Sequence, residues 1–274
     1  MLSFSIIKNP QFFHDWLLYH TSMGLKMLLY LDGPLSEKNQ RIADNFGNSV
    51  ICTECSWPDD AHYSDKHYYA SRHAINYAYD HKERYLAHFD DDEILYLKVA
   101  SLTVFEEYLD NSDLKTFVIS NYEAVKTLEH YDEGRSFFRE ETWFERTARM
   151  AYWQGKPIGR VDDGIINLES PHRFRDPKKP SDSDTYIPKK YALILHYAMM
   201  TFEAWDRKKT TKIENQIIIY GLYLKTMAFL QETRTHEEKK AFYNSQRMRS
   251  TYLIDRDPTT VSITSVANFF SSLE

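Results

Sequence analysis

The first hundred residues alternate between short apolar runs and segments whose apolar side chains recur at helical spacing. The apolar runs predict strands, and the segments between them predict helices. The predicted strands are 3–7, 26–31, 49–53 and 85–89, and the predicted helices are 11–22, 36–46 and 61–82. Because strand and helix alternate, we expect an α/β fold with a mostly parallel central sheet and helices on both faces.

The pattern beyond residue 100 is less regular. The predicted strands are 116–120, 157–161 and 164–168, and the predicted helices are 139–153, 191–209, 213–230 and 237–248. The segment 170–190 is rich in Pro, Asp, Ser and Lys, which predicts an exposed loop. We expect the C-terminal part of the chain to be helical.

Composition narrows the function classes. The chain has 274 residues, of which 42% are hydrophobic, so one large domain with a sizeable core is expected. A net charge of −6 offers no general basic field and argues against a nucleic-acid partner.

No apolar run approaches the ~20 residues of a transmembrane segment, and no signal peptide is recognised. A cytoplasmic location is therefore expected, and peripheral contact with a membrane is compatible with it. Cys52 and Cys55 have no partner pair for zinc and are interpreted as reduced cysteines.

Four acids, Asp90 to Glu93, follow the fourth predicted strand without a break. In parallel sheets, ligands bind beyond the carboxyl ends of the strands. In an extended backbone, Asp90 and Asp92 would project to one side, about 6–7 Å apart, and Asp91 to the other. Two such carboxylates can share a hard divalent cation whose other ligands are water and substrate phosphates. The alternative is a solvated turn between two strands.

An ordered set of motifs resembles the GT-A glycosyltransferases, in particular the family 2-like and family 92-like group. The resemblance extends over roughly residues 3–210, and Pro10 departs from the family's usual Glu. The motifs are Lys8-Asn9-Pro10, Trp16 with His20, Tyr30-Leu31-Asp32, Asp90-Asp91-Asp92-Glu93-Ile94, Gly155-Lys156-Pro157-Ile158 and His196-Tyr197.

This resemblance implies a single GT-A domain, with a nucleotide-binding half (1–100), an acceptor half (101–210) and a helical extension (211–274). It implies transfer of a sugar from a nucleotide-diphosphate donor, by default a UDP-sugar, to a hydroxyl of a glycan, glycoprotein or lipid-linked acceptor. The implied donor contacts are Lys8, Asn9, Asp32, Arg72, Asp90 and Asp91. The implied cofactor is Mn²⁺ or Mg²⁺, with Asp92 as the more direct ligand, Asp90 beside it, and His196 or His172 completing the site.

An inverting enzyme of this group needs a general base near the acceptor hydroxyl. The resemblance points to Glu141, and next to Glu140, at the start of a predicted helix; Asp162 and Asp163 are reserves. Acids in a first helical turn also simply favour the helix dipole, and a retaining enzyme needs no such base. A nucleotidyltransferase, a metal-dependent phosphoesterase and a non-catalytic nucleotide-binding module remain alternative functions.

Overall fold

A computed structural model describes most of the chain, which folds into two compact units. The first unit comprises Met1–Asn121 and Gln154–Ile194, and the second comprises Tyr122–Trp153 and Leu195–Glu274. The described residues are 1–54, 57, 61, 63–128, 130–132, 134–145, 154–161, 167–176, 185–198, 200–206, 235–251 and 260–273.

The elements are numbered in chain order. The strands are β1 Leu2–Ile7, β2 Lys26–Leu31, β3 Val50–Glu54, β4 Tyr85–His88, β5 Glu93–Leu97, β6 Thr116–Ile119, β7 Asn121–Ala124, β8 Trp143–Glu145, β9 Lys156–Arg160, β10 Asn167–Ser170, β11 Arg173–Arg175, β12 Ala192–His196 and β13 Thr260–Ser262. The helices are α1 Phe13–Ser22, α2 Glu37–Asn45, α3 Tyr63–Asp80, α4 Leu102–Asp110, α5 Phe137–Glu140, α6 His236–Thr251 and α7 Ser265–Ser271, with a short 3₁₀ turn at Gly47–Ser49.

The first unit is built on a six-stranded sheet in the order β3-β2-β1-β4-β9-β6. Strands β1 to β4 are mutually parallel, and β9 runs antiparallel to both β4 and β6. The predicted α/β class with a mostly parallel central sheet is therefore confirmed. The strands and helices predicted for the first hundred residues are confirmed to within about two residues at each end.

Helix α3 packs against one face of this sheet through small side chains. Ala70, Ala74 and Ala78 recur every four residues and belong to a buried cluster with Phe4 and Tyr30. Residues spaced by four lie on one face of a helix, so this alanine stripe lets α3 approach the strands closely. The close approach brings the first turns of α3 to the carboxyl edge of the sheet.

Helix α1 is tied to β5, the strand that follows the acidic run. The indole Nε1 of Trp16 donates a hydrogen bond to the carbonyl of Glu93 at 2.8 Å. His20 accepts from the Leu95 amide at Nε2 (3.1 Å) and uses Nδ1 to donate to the Trp16 carbonyl (3.0 Å). Trp16 and His20, which belong to the motifs of the family resemblance, therefore hold the start of β5 in place, where the acidic run ends.

Two helix predictions for the second half of the chain are wrong in part. A helix is predicted at 139–153, but α5 ends at Glu140 and β8 follows it, because β8 pairs with β7 and β13 and buries Phe144. A helix is also predicted at 191–209, but the first part of this range is the buried strand β12. Periodicity cannot distinguish a continuous apolar run in a strand from one in a helix.

The predicted loop 170–190 contains ordered structure as well. Strand β11 pairs antiparallel with β10 and buries Phe174, and the Ile187 amide donates to the Val118 carbonyl at 2.8 Å. Residues 177–184 of that segment, the predicted helix 213–230, and residues 146–153 and 162–166 lie outside the described residues.

The second unit combines strands and helices around an aromatic cluster. Strand β8 pairs antiparallel with β7 and with β13, and α5 packs on α7. The ring of Tyr197 contacts Phe137, Phe138 and Phe144, with centroid distances of 5.6, 4.9 and 5.6 Å. Helix α6 confirms the helix predicted at 237–248. In the described part of the chain, no helix combines the length and apolar character that crossing a bilayer requires.

Candidate functional site

The order of the parallel strands reverses at β1. Strands β2 and β3 lie on one side of β1, whereas β4, the next strand in the chain, lies on the other. Open α/β sheets bind ligands at the carboxyl ends of the strands beside such a reversal. Lys8 and Asn9 follow β1, Asp32 follows β2, and Asp90 lies two residues after the end of β4. Four predicted donor contacts therefore lie at neighbouring strand ends.

Asp32 is held by two lysines. Its Oδ1 lies 2.7 Å from Nζ of Lys66 on α3, and its Oδ2 lies 3.4 Å from Nζ of Lys8. Burial raises the pKa of Asp32, but the hydrogen bonds and positive charges of the two lysines outweigh it and lower the pKa below its ordinary value. Asp32 is thus an anion at neutral pH. Lys66 was not identified from the sequence, because nothing local distinguishes it from other helix lysines.

Asp90 forms an ion pair with a buried lysine. Nζ of Lys156, at the start of β9, lies 2.6 Å from Asp90 Oδ2 and 3.1 Å from Glu93 Oε2. The side chains of Lys156 and Glu93 are fully buried, and Glu93 Oε2 also accepts the Asp90 amide at 2.7 Å. Burial raises the pKa of Asp90, but the nearby positive charge of Lys156 holds it well below its ordinary range. The acidic run is therefore more than a solvated turn.

Two histidines face the same carboxylate. His88, the last residue of β4, donates from Nδ1 to the Pro171 carbonyl at 2.9 Å, and its Nε2 lies 3.7 Å from Asp90 Oδ1. His67 on α3 is buried beside it, and one ligand atom from each of His67, His88 and Asp90 lies within 4.8 Å of the other two. Burial lowers the pKa of His67 to about 4 and that of His88 well below its ordinary value. Both rings are neutral at pH 7.

The other acids and histidines predicted at the site are Asp91, Asp92, His172 and His196, and they do not all lie in the same unit. Asp91 and Asp92 are half-buried at the end of the β4–β5 turn. His172 donates from Nδ1 to the carbonyl of Gly155, the neighbour of Lys156, at 2.9 Å, so it borders the Asp90 site. His196 ends β12, is buried, and belongs to the second unit. Their metal-binding roles stay predictions.

Other predicted residues of the first unit lie on exposed surface or away from the ion pairs. Arg72 is exposed on α3, with its guanidinium 5.7 Å from the ring of Tyr68. Asn9 is exposed and has the left-handed backbone angle φ of 51°. Cys52 is half-buried and burial raises the pKa of its thiol; Cys55 lies outside the described residues.

The predicted general base is enclosed by hydrogen-bond donors within the second unit. The carboxylate of Glu141 accepts from the amide and hydroxyl of Thr127, both at 2.7 Å, from the Leu128 amide at 3.2 Å, and from the Tyr131 hydroxyl. Glu141 is buried, whereas Glu140 is partly exposed and accepts from Arg135 at 3.3 Å. This arrangement makes Glu141 an anchor for the segment before α5. The reserve acids Asp162 and Asp163 lie outside the described residues.

The second unit also contains a polar cavity of ≈ 310 Å³ that the sequence did not predict. Lys126 is buried in its wall, with Nζ 3.3 Å from the Tyr243 hydroxyl and 5.0 Å from the centre of the Tyr243 ring. The cavity is lined by Lys126, His130, Tyr131, Thr201, Phe202, Glu203, Lys240, Tyr243 and Asn244. Two lysines and several hydroxyl groups make it suited to a polar ligand.

The similarity of this chain to known proteins is low. No protein-family model and no curated protein matches the sequence. Among solved structures, S. aureus TarS residues 1–349 is 11% identical over 80% of this chain, with a TM-score of 0.40. The same TarS fragment in complex with UDP is 12% identical over 79% of this chain, with a TM-score of 0.38.

A third solved structure is 4-diphosphocytidyl-2C-methyl-D-erythritol synthase from Anaerococcus prevotii DSM 20548. It is 10% identical over 85% of this chain and 96% of its own length, with a TM-score of 0.35. This chain spans 66% of the TarS fragment and 40% of a longer TarS structure.

Proposed function

We propose that this chain is a glycosyltransferase that binds a nucleotide-diphosphate sugar at the carboxyl edge of its parallel sheet. One observation carries the proposal: Asp32 and Asp90, each held by lysine, follow the two strands that flank β1, where the strand order reverses. Such a reversal is where α/β sheets bind nucleotides. Carboxylates and ammonium groups lie together there. A carboxylate can accept hydrogen bonds from a nucleobase, and an ammonium group can bind a diphosphate.

The charged groups divide into two sets with different uses. The carboxylate of Asp32 accepts hydrogen bonds and suits the N–H groups of a nucleobase, with UDP as the first nucleotide to test. Lys8 and Lys66 beside it suit the phosphates. Lys156 is paired with two carboxylates, Asp90 and Glu93, so it positions them rather than binding the diphosphate. The two lysines at Asp32 leave a net positive charge there, which stabilises the negative charge that develops on a leaving diphosphate.

A divalent cation belongs to this proposal, with Asp90 as its first carboxylate ligand; the sequence resemblance implies Mn²⁺ or Mg²⁺ and adds Asp92 as a second ligand. When bound, it adds neutralisation of the diphosphate charge. Glu141 has no part in the proposal, because hydrogen-bond donors already surround its carboxylate. The acceptor proposed is a glycan hydroxyl, free or carried on protein or lipid.

The test begins with donor binding. Calorimetric titrations of UDP, CDP, GDP and ADP, each with and without Mn²⁺, identify the nucleotide. Asp32→Asn should weaken binding of the preferred nucleotide about tenfold or more, because a charged hydrogen bond is lost. Asp44→Asn is the matched control, since Asp44 is an exposed residue of α2 whose carboxylate accepts from Gln40. Equal affinities for the two variants would remove Asp32 from the site.

Turnover then distinguishes the enzyme classes. The wild-type protein is incubated with nucleotide sugars and a glycan mixture, and the released nucleotide product is measured. Acceptor-dependent release of nucleoside diphosphate supports sugar transfer. In a second incubation, release of pyrophosphate from a nucleoside triphosphate and a sugar phosphate would make the protein a nucleotidyltransferase instead. Acceptor-independent release of nucleoside monophosphate and sugar phosphate from the nucleotide sugar would make it a phosphoesterase.

A further inference from the structure

We propose that His67, His88 and Asp90 form a binding site for one first-row transition-metal dication. The ligand set differs from the carboxylate pair predicted from the sequence, since two imidazoles replace Asp92. The geometry of these three side chains supports the site itself, whereas its use in sugar transfer rests on the proposed function.

The hydrogen bond of His88 determines which nitrogen carries the lone pair. A carbonyl oxygen accepts but does not donate, so the 2.9 Å contact with Pro171 requires the proton to be on Nδ1 of His88. The lone pair of the neutral ring is then on Nε2, which faces Asp90 Oδ1 at 3.7 Å. Metal-binding histidines generally donate their second nitrogen to a carbonyl or carboxylate in this way.

A cation between Nε2 of His88 and Oδ1 of Asp90 would satisfy both atoms. His88 is fully buried, and within the described part of the chain its Nε2 makes no hydrogen bond. A buried lone pair that faces a carboxylate oxygen is unfavourable unless a proton or a metal ion lies between the two atoms. His67 contributes the third ligand from α3, its ring centroid 4.9 Å from that of His88 and nearly perpendicular to it.

The dimensions suit a small dication. Ligands about 2.1 Å from a tetrahedral metal are roughly 3.4 Å from one another. The observed 3.7 Å between His88 Nε2 and Asp90 Oδ1 exceeds this distance by an amount that small side-chain rotations can close, and the ligand atom of His67 lies within 4.8 Å of the other two. Three protein ligands leave a position open for an oxygen of a substrate, as in catalytic metal sites.

The chemistry of the ligands selects the metal. Imidazole nitrogens suit Zn²⁺ and neighbouring transition metals, whereas Mg²⁺ prefers oxygen ligands and keeps several waters. Lys156 contacts the other oxygen of the Asp90 carboxylate, Oδ2, at 2.6 Å and so holds the carboxylate in place while Oδ1 faces the histidines. We therefore expect Zn²⁺ and Co²⁺ to bind more tightly than Mg²⁺.

The test measures metal binding without any nucleotide, so its outcome does not depend on whether the protein uses a sugar donor. Metal-free protein is titrated with ZnCl₂, CoCl₂ and MgCl₂ by calorimetry, and the visible absorption of bound Co²⁺ reports nitrogen ligands. We expect one Zn²⁺ per chain and a loss of affinity of about 100-fold in His67→Gln and in His88→Gln, since each variant removes one of three ligands. Circular dichroism establishes that each variant is folded.

His73→Gln is the matched control, because His73 lies on the same helix and its ring nitrogen bonds instead to the Tyr30 hydroxyl at 2.8 Å. It should bind Zn²⁺ as the wild type does. If His88→Gln does not fold, His67→Gln and the Co²⁺ spectrum still decide the matter. A wild type that binds no Zn²⁺ stoichiometrically, a His67→Gln variant with unchanged affinity, or Mg²⁺ binding as tight as Zn²⁺ would overturn the proposal.

Discussion

The ammonium of Lys156 lies 2.6 Å from Oδ2 of Asp90, a residue 66 positions earlier in the chain. This pair explains how a run of four acids can lie between two buried strands. A buried ammonium compensates the first acid and also contacts Glu93, the last acid of the run. One of the negative charges that would otherwise draw the segment into solvent is thus compensated within the first unit.

Replacing Lys156 should therefore cost substantial stability. Lys156→Met leaves Glu93 buried without its cation, and breaking a buried ion pair typically costs about 3–5 kcal/mol. The free energy of unfolding is measured by urea denaturation. Lys26→Met is the control, because Lys26 pairs with Glu83 at the surface, where a pair contributes at most about 1 kcal/mol. Similar losses in the two variants would contradict the interpretation of Lys156 as the neutralising charge.

Glu141→Gln should lower the melting temperature. The carboxylate of Glu141 accepts four hydrogen bonds, whereas a carboxamide has a single oxygen and presents N–H groups to the remaining donors. Donors left buried without an acceptor cost about 1–3 kcal/mol each. Glu140→Gln, which removes charge from a partly exposed neighbour, should change little. An unchanged melting temperature in Glu141→Gln combined with slow sugar transfer would favour the general-base role instead.

Gly155 precedes Lys156 and lies against β6. Its φ is +79°, and a Cβ there would lie 2.3 Å from the carbonyl oxygen of Ile119 and 2.8 Å from Cγ1 of Val118. Gly155→Ala should therefore displace the start of β9 and destabilise the protein by several kcal/mol, measured by thermal unfolding.

Gly24→Ala separates backbone strain from steric clash. Gly24 has a similar φ of +85°, but a Cβ at this position would meet no atom within 4 Å. Strain alone should cost about 1–2 kcal/mol. Equal effects of the two substitutions would show that the contact with Ile119 does not limit position 155.

Stability should fall as the pH is lowered from about 6.5 towards 4. Burial lowers the pKa of His20 in the folded protein to about 4, whereas the unfolded chain retains an ordinary value near 6.5. Between these values only the unfolded state binds the proton, so acidification favours unfolding. His20 alone should account for roughly 3 kcal/mol of lost stability by pH 4.

Urea denaturation at a series of pH values measures this loss. His20→Gln should reduce the pH dependence, whereas His81→Gln, at an exposed position, should preserve it. If stability depends on pH in His20→Gln as it does in the wild type, other histidines must cause the loss of stability.

The sequence by itself determined strands β1 to β4 and helices α1 to α3. There, hydrophobic period, capping and turn residues agree: Ser36, for example, caps α2 by accepting the Asn39 amide at 3.2 Å, as its position predicts. It also identified the strand ends that carry Lys8, Asn9, Asp32 and Asp90, because strand and helix order alone imply which ends share one edge of a parallel sheet.

Only the tertiary structure decided which side chains meet Asp90. His67 and Lys156 come from a helix and from an antiparallel strand far from Asp90 in the sequence, and local periodicity contains no information about such contacts. It also decided that β8 and β12 are strands, since pairing and burial, rather than local propensity, determine the state of short apolar runs. Local patterns specify elements because neighbours in sequence set backbone preferences, whereas ion pairs and ligand sets depend on how distant segments pack.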